Sequence, residues 1–322
     1  MFSLIKLSYF ACNDEEKEWY NTVPNCIQKV DLHLCCEFLL STPTERKKIN
    51  TPDFTVCGSA AEQGHLDCLM YAHNLGLEWG AHTCMFAAQN GHLNTLKYAH
   101  EQGCPWDEFT CRFAAARGHV NTLKYAHEHG CPWDKGVCDM ASEYGHLNTL
   151  KYAHEQGCPW DEFTCKIAAA RGDIDILKYA HENGCPWSIR TCEAASECGK
   201  VETLKYAHEQ GCPWNENTCK FAAASGHVNT LKYLHENGCP WDRGTCEVAA
   251  RSGNINTLRY AHENGCEWTT HTVEMALKSG NLEILKYVFE NGCPRNLSSL
   301  SLQYLCVRKP AIFRYVMENL NM

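Results

Sequence analysis

"GCPWDEFTC", residues 103–111, sets two cysteines, a proline and a tryptophan beside an acidic pair. The same words return as "GCPWDKGVC" (130–138), "GCPWDEFTC" (157–165), "GCPWSIRTC" (184–192), "GCPWNENTC" (211–219) and "GCPWDRGTC" (238–246), always 27 residues apart. A chemical site is usually needed once, whereas a structural joint is needed at every joint. A fixed period of this size marks a stack of supersecondary pieces, each unable to bury its apolar face alone.

The glycine that opens "GHLNTLKYAHEQG" fixes the register. It recurs as Gly64, Gly91, Gly118, Gly145, Gly172, Gly199, Gly226, Gly253 and Gly280. Each repeat reads as two helices. The first opens after Gly80, Asp107, Asp134, Asp161, Ser188, Asn215, Asp242, Thr269 or Asn296, all favoured N-cap types. It runs about ten residues, as in "EFTCRFAAAR", with Cys111, Ala114 and Ala115 on a small face. The alanine four before the marker glycine is kept from Ala60 to Ala276, which points to two helices approaching closely. The second helix, "HLNTLKYAHEQ", carries Leu93, Leu96 and Ala99 at the spacing of one helical face. The leucine five after the marker and the tyrosine seven after it never vary. Gly103 and Pro105 terminate it. The reading is an all-α solenoid of stacked helix-turn-helix repeats over 54–292. Residues 1–53 are expected to form an N-terminal cap or short helical segment, and "FRYVMENL" (313–320) marks a worn capping repeat within 293–322.

Composition agrees with a globular chain: 322 residues, 44% hydrophobic and 21% charged. The formal net charge of −9, without a basic block, argues against nucleic acid, since phosphate affinity is built from Lys and Arg. No apolar run approaches the roughly 20 residues that span a bilayer, so no membrane is expected. The opening "MFSLIKLSYFAC" is interrupted by Lys6 and followed by acidic "NDEEKE", which reads against a secretory signal. The 23 cysteines follow the repeat. Equivalent positions on stacked helices lie roughly 8–10 Å apart, too far for disulfides, so reduced thiols filling space in a cytoplasmic protein are expected.

With the register fixed, "FTCRFAAARGHVNTLKYAHEHGCPWD" (109–134) resembles the ankyrin-repeat superfamily. Gly118, His119, Lys124, Glu128 and Gly130 fall on the family pattern. "GCPWD" stands where "GADVN" would, and Cys111 takes the core leucine's place in T-P-L-H. The family unit is about 33 residues. The missing six fall between Asp107 and Cys111, where the family carries the β-hairpin finger with which it often binds partners. The short form looks like repeat arrays of protists and of the large DNA viruses that infect them, which for a viral chain would mean the host cytoplasm. The resemblance implies a non-enzymatic protein-interaction scaffold. Some ankyrin-type arrays also resemble adaptors of ubiquitin ligase machinery that carry an F-box; residues 1–50 would have to serve that role, and they show no clear F-box pattern.

Three ladders invite chemistry. His100, Cys104 and Cys111 give H-x3-C-x6-C, but zinc wants four ligands, and Phe289 and Val273 replace a histidine and a cysteine in the last repeat without other disturbance. Packing accounts for this better than a metal, and no cofactor is expected. The tryptophans from Trp79 to Trp268 read as packing between repeats, the alternative being an aromatic strip for a partner. The histidines from His73 to His262 read as partly buried and neutral. No nucleophile–base pair stands apart from the repeat, so no enzyme activity is expected.

The informative positions vary. One per repeat reads Met85, Arg112, Asp139, Lys166, Glu193, Lys220, Glu247, Glu274, alternating in sign from Arg112 to Glu247. Neighbouring first helices are therefore expected to face each other with opposite charges. This is either a surface ion-pair ladder or a mixed-charge recognition face for an unidentified protein partner, joined by Phe109, Arg117, Tyr144, Phe163, Arg171 and Arg190.

Overall fold

A computed structural model describes residues 56–294 and 309–319. The N-terminal cap, the segment 1–50, Asn296 and most of the 293–322 segment lie outside these residues. Every element is helical among the described residues. The chain divides into two compact units, one ending at Trp160 and the other starting at Asp161.

The first unit holds α1 (Val56–Glu62), α2 (Leu66–Asn74), α3 (Ala81–Gln89), α4 (Leu93–Glu101), α5 (Glu108–Ala116), α6 (Val120–Glu128), α7 (Gly136–Tyr144) and α8 (Leu147–Glu155). The second holds α9 (Glu162–Arg171), α10 (Ile174–Glu182), α11 (Ile189–Glu197), α12 (Val201–Glu209), α13 (Glu216–Ser225), α14 (Val228–Glu236), α15 (Arg243–Ser252), α16 (Ile255–Glu263), α17 (Thr270–Ser279), α18 (Leu282–Glu290) and α19 (Pro310–Asn319). Odd-numbered helices up to α17 are first helices. Helix α5 starts one residue after Asp107, which leaves no chain for a finger.

The helices are short, so their ends dominate. A helix leaves four N–H and four C=O groups unpaired at its two ends. Asp107, in extended backbone, accepts from the Phe109 N–H at 3.1 Å. Asp161, Ser188, Asn215, Asp242 and Thr269 cap in the same way. At α7 the N-cap is Lys135 instead of the expected Asp134. Asp134 still accepts from the Gly136 N–H at 3.1 Å, so the cap survives with the helix entry moved by one residue. At the other end of the pair, Gly103 takes φ 82° and the Cys104 N–H donates back to the Ala99 carbonyl at 2.9 Å. This is a Schellman closure.

Within each unit neighbouring first helices pack more tightly than neighbouring second helices. The small face makes this possible: the nine alanines from Ala60 to Ala276 are fully buried, as are first-helix thiols such as Cys111. The second helices supply bulk through the leucines from Leu69 to Leu285, also fully buried. Helix α19 docks as the second helix of a further repeat. Lys309 lies over Gly280 and donates to the Ser279 carbonyl at 3.2 Å.

The two glycine columns are held for different reasons. A Cβ on Gly103 would meet nothing within 4 Å, so only its positive φ demands glycine. A Cβ on Gly91 would sit 2.6 Å from His119 Nδ1, so positive φ and close approach act together. Gly103→Ala is therefore expected to cost about 1–2 kcal/mol, the left-handed penalty for an L-residue. Gly91→Ala should lower the melting temperature further. Equal melting temperatures for the two variants would show that the His119 ring does not constrain Gly91.

Candidate functional site

The joint "GCPW" resolves into three devices. The thiol of each joint reaches the carbonyl of the residue that opened the same helical pair. Cys104 donates to Gly80 at 3.4 Å, Cys131 to Asp107 at 3.3 Å, Cys158 to Asp134 at 3.2 Å, and so on to Cys293 on Thr269 at 3.4 Å. Each thiol thus closes its pair of helices by tying the last loop to the first cap. The first-helix cysteine lies beside it: Cys84, Cys165 and Cys246 approach the carbonyls of Cys104, Cys185 and Cys266 at 3.9, 3.9 and 3.7 Å. A hydrogen bond with the paired thiol, and then burial, push Cys84, Cys111, Cys165, Cys192 and Cys246 far above the ordinary thiol range. Burial, and then the nearby Cys104, push Cys57 up to about 12. None of the described cysteines is in a disulfide, and all are buried except Cys198.

The tryptophan is clamped by its own pair of helices. His100 stacks on Trp106 with ring centroids 3.7 Å apart, and the equivalent pairs from His73–Trp79 to His262–Trp268 lie within 3.5–3.9 Å. The tyrosine of the next second helix then meets both rings edge-on, as Tyr125 does with His100 at 6.1 Å and Trp106 at 6.4 Å. The Tyr98 hydroxyl lies 3.0 Å from His73 Nδ1, and Tyr287 does the same with His262. Burial pushes the Tyr98 and Tyr287 phenols up, which keeps the proton available to donate. The tryptophans thus pack between repeats, as the sequence implied, and the invariant tyrosine supplies the far side of that packing.

The residue after the marker glycine forms a third ladder. His92 lies over Gly64 with Nε2 3.1 Å from the Glu62 carbonyl; His146 and His227 reach Ala116 and Glu197 at 3.2 and 3.1 Å. These rings cap the C-terminus of the preceding first helix. The H-x3-C-x6-C residues therefore have separate duties: His100 stacks on Trp106, Cys104 faces Gly80, and Cys111 pairs with Cys131 at the end of its own pair of helices. No group of three or more His, Cys, Asp or Glu side chains could hold a metal ion among the described residues.

The alternating-charge row needs correction. Arg112 does not reach Asp139. Its Nε donates to Asp134 Oδ1 at 2.9 Å and its Nη2 to Asp134 Oδ2. Lys220 bonds Asp242 at 3.0 Å, not Glu247, and Glu247 accepts from the Thr269 hydroxyl at 3.3 Å. For Arg112 and Lys220 the partner is the cap 22 residues on, not the equivalent residue 27 on. Arg112 holds the Asp134 carboxyl below its usual range. Asp139 is buried, and so leaves the proposed exposed face. Glu193 is half-buried, and burial raises its carboxyl. A sequence signal marks the cation seats: both are followed by glycine, in "DKG" (134–136) and "DRG" (242–244). A Cβ on Gly136 would lie 2.7 Å from Arg112 Nε, and one on Gly244 2.6 Å from Lys220 Cε.

The remaining site residues lie outward on the first helices. Phe109, Tyr144 and Phe163 are 43%, 47% and 46% exposed. Arg117, Arg171 and Arg190 are exposed, and Lys166 is half-buried with Nζ 5.3 Å from the Phe163 ring centroid. The sequence reading missed the residues one turn on from the phenylalanines. Phe113 packs against Phe109 at 6.4 Å between centroids, and Phe86, Phe113 and Met140 are half-buried, with Phe221 exposed. Their i+4 spacing from positions such as 109 was the available signal.

No protein-family model matches the chain, and no curated protein does. Among solved structures it is similar to the human ASB11 ankyrin repeat domain, at 16% identity and a TM-score of 0.48, covering 58% of this chain and 99% of that one.

Three outcomes are expected. Native-state alkylation followed by peptide mapping should modify Cys198 at least tenfold faster than any other cysteine between 57 and 293, because thiolate character and access both favour it. Burial lowers the His100, His119 and His262 pKa values. Their neutral forms then stabilise the fold above the unfolded pKa of about 6.5, and that contribution is lost as pH falls through 6.5 towards the lower folded values. The melting temperature should fall between pH 7.5 and 5, and a flat profile would contradict this. A double-mutant cycle on Arg112 and Asp134 should give a coupling of about 0.5–1 kcal/mol, the upper part of the range for partly exposed pairs, against none for Arg112 and Asp139.

Proposed function

We propose that the chain is a non-enzymatic scaffold that binds a protein partner along the outward face of its first helices. The observation that carries this reading is the set of exposed aromatics on that face. Large apolar side chains left in water on a rigid helical surface are typical interface anchors, above all beside arginine. In the first unit the face joins Phe109, Phe113 and Arg117 on α5 to Met140 and Tyr144 on α7. In the second it joins Phe163, Lys166 and Arg171 on α9 to Arg190 and Glu193 on α11, with Lys220 and Glu247 further along.

The division of labour supports the same reading. The recurring cysteines, tryptophans and tyrosines and the histidines of both columns are engaged in packing or capping. Size and charge change from repeat to repeat at the outward positions of the first helices, where a partner would read them. A location in the cytoplasm would suit the unpaired thiols. Among the described residues no helix is long and apolar enough to cross a membrane.

The test is affinity capture with the full chain and two double variants, Phe109→Glu/Arg117→Glu in the first unit and Phe163→Glu/Arg190→Glu in the second. Lys232→Ala on a second helix serves as control. Circular dichroism should show all variants folded. A partner held by this face should be lost, with Kd raised at least tenfold, from at least one double variant and kept by the control. Equal retention by all three would refute the face.

A further inference from the structure

We infer that the partner presents an arginine next to an apolar side chain, and that this arginine pairs with the Asp107 carboxylate beside Phe109. The inference rests on the first-helix face being the partner surface, and it names the chemistry that the face selects.

The chain itself shows what an aspartate at this point of the joint can hold. Asp134 Oδ1 accepts from the Gly136 N–H at 3.1 Å, and Asp242 Oδ1 accepts from the Gly244 N–H at 2.9 Å. With one oxygen committed to its own helix, the other takes a cation from the preceding first helix. Arg112 Nη2 bonds Asp134 Oδ2, and Lys220 Nζ bonds Asp242 Oδ2 at 3.0 Å. Arg112 Nε also reaches Oδ1 at 2.9 Å, so the guanidinium grips both oxygens. These two carboxylates stay 44% and 49% exposed even when paired, so such a seat opens onto the surface.

Asp107 is held in the same way. Its backbone is extended like that of Asp242, and its Oδ1 accepts from the Phe109 N–H at 3.1 Å. The position 22 residues before it is Met85, which has no charge to give. Among the described residues no cation bonds the Asp107 carboxylate. Phe109 stands where the two paired repeats have Gly136 and Gly244. By the geometry of the repeat, Met85 and Phe109 therefore border the carboxylate with apolar surface. The stem of a long basic side chain lies well on such surface while its head reaches the acid. Arginine suits it better than lysine, because a planar guanidinium forks across a carboxylate and stacks on an aromatic face. Arg112 already does both here: it forks across Asp134, and its Cζ lies 5.0 Å from the Phe109 ring centroid. Phe113, packed against Phe109, offers the contact for the apolar neighbour of the incoming arginine.

The test uses a random dodecapeptide display library panned on the full chain under reducing conditions. Peptides that no longer bind the Phe109→Glu/Arg117→Glu variant report the face, and these should carry an arginine next to an apolar residue. One of them, synthesised, should lose about tenfold in affinity on Asp107→Asn, as when a hydrogen bond to a charged group is removed. Asparagine keeps the cap, as Asn215 does in accepting from the Asn217 N–H at 2.9 Å, so this variant should fold. Replacing the peptide arginine by citrulline, neutral and of similar shape, should cost as much, and the two changes together little more than either alone. Asp242→Asn, at a cap that already holds Lys220, should leave the affinity within about twofold. Face-dependent peptides without arginine overturn the inference and leave the scaffold reading standing. So does an affinity unmoved by Asp107→Asn, or lowered equally by Asp242→Asn. A library in which no enriched peptide depends on Phe109 and Arg117 overturns both.

Discussion

A helix of nine residues has almost as many unpaired backbone groups at its ends as paired groups within it. Alone in water it would not persist. Every described pair in this protein is built from such helices, so finding partners for helix ends is the constraint on which the rest depends. The polar residues that recur with the 27-residue period fall into place under it. Asp107 serves the N–H groups that open α5, and the Cys131 thiol serves the Asp107 carbonyl. Gly130 turns the chain so that the Cys131 N–H meets the Ala126 carbonyl. His146 serves the carbonyls that close α5. A cysteine-rich, histidine-rich repeat that suggests metal or redox chemistry is, at these positions, a set of small donors placed at helix termini.

Apolar packing follows from the same geometry. First helices approach closely because Ala114 and Cys111 present little volume, and the thiol is the largest group there that still has a donor to offer. Leu123 and its equivalents fill the wider gap on the second-helix side. The Trp106–His100–Tyr125 cluster closes the side of each joint, where a bare loop would otherwise leave aromatic surface in water. Stacking His100 on Trp106 also explains why that histidine is driven towards its neutral form. The ring loses water on one face to tryptophan and lies near His129, and the opposing pull of Glu101 is the smallest of the three influences.

The fold was legible in the sequence because the period, the caps and the leucine column are one-dimensional patterns that need no knowledge of how helices tilt. The candidate face was legible only in part, for the opposite reason. Arg112 and Asp139 are equivalent residues 27 apart, and the sequence invites pairing them. Helical side chains lean towards their own N-terminus, so a long side chain on α5 meets the opening of α7, five residues before the equivalent position. Asp134 is there, and Asp139, five residues on, is buried. Lys135 as the N-cap of α7 was hidden similarly, since two residues in "DK" can both precede a helix and only the backbone decides. Phe113 stands beside the more conspicuous charge at position 112, although the stripe 109–113–117 is ordinary helical spacing.

The outward column of the first helices is where structural duty ends, but the two uses of that column exclude each other. Where a cation from the preceding first helix comes to sit on the capping aspartate, the residue two further on is Gly136 or Gly244, because a Cβ there would overlap the incoming Arg112 or Lys220. Where no cation arrives on Asp107, Met85 stands in the cation's place, and the same position is free to carry a large side chain; it carries Phe109. An exposed phenylalanine and a seated cation are thus alternative states of one position, chosen repeat by repeat. A surface written in this way varies in aromatic content without disturbing the caps beneath it. This is how a repeat so uniform in its interior comes to present a face that differs at each step.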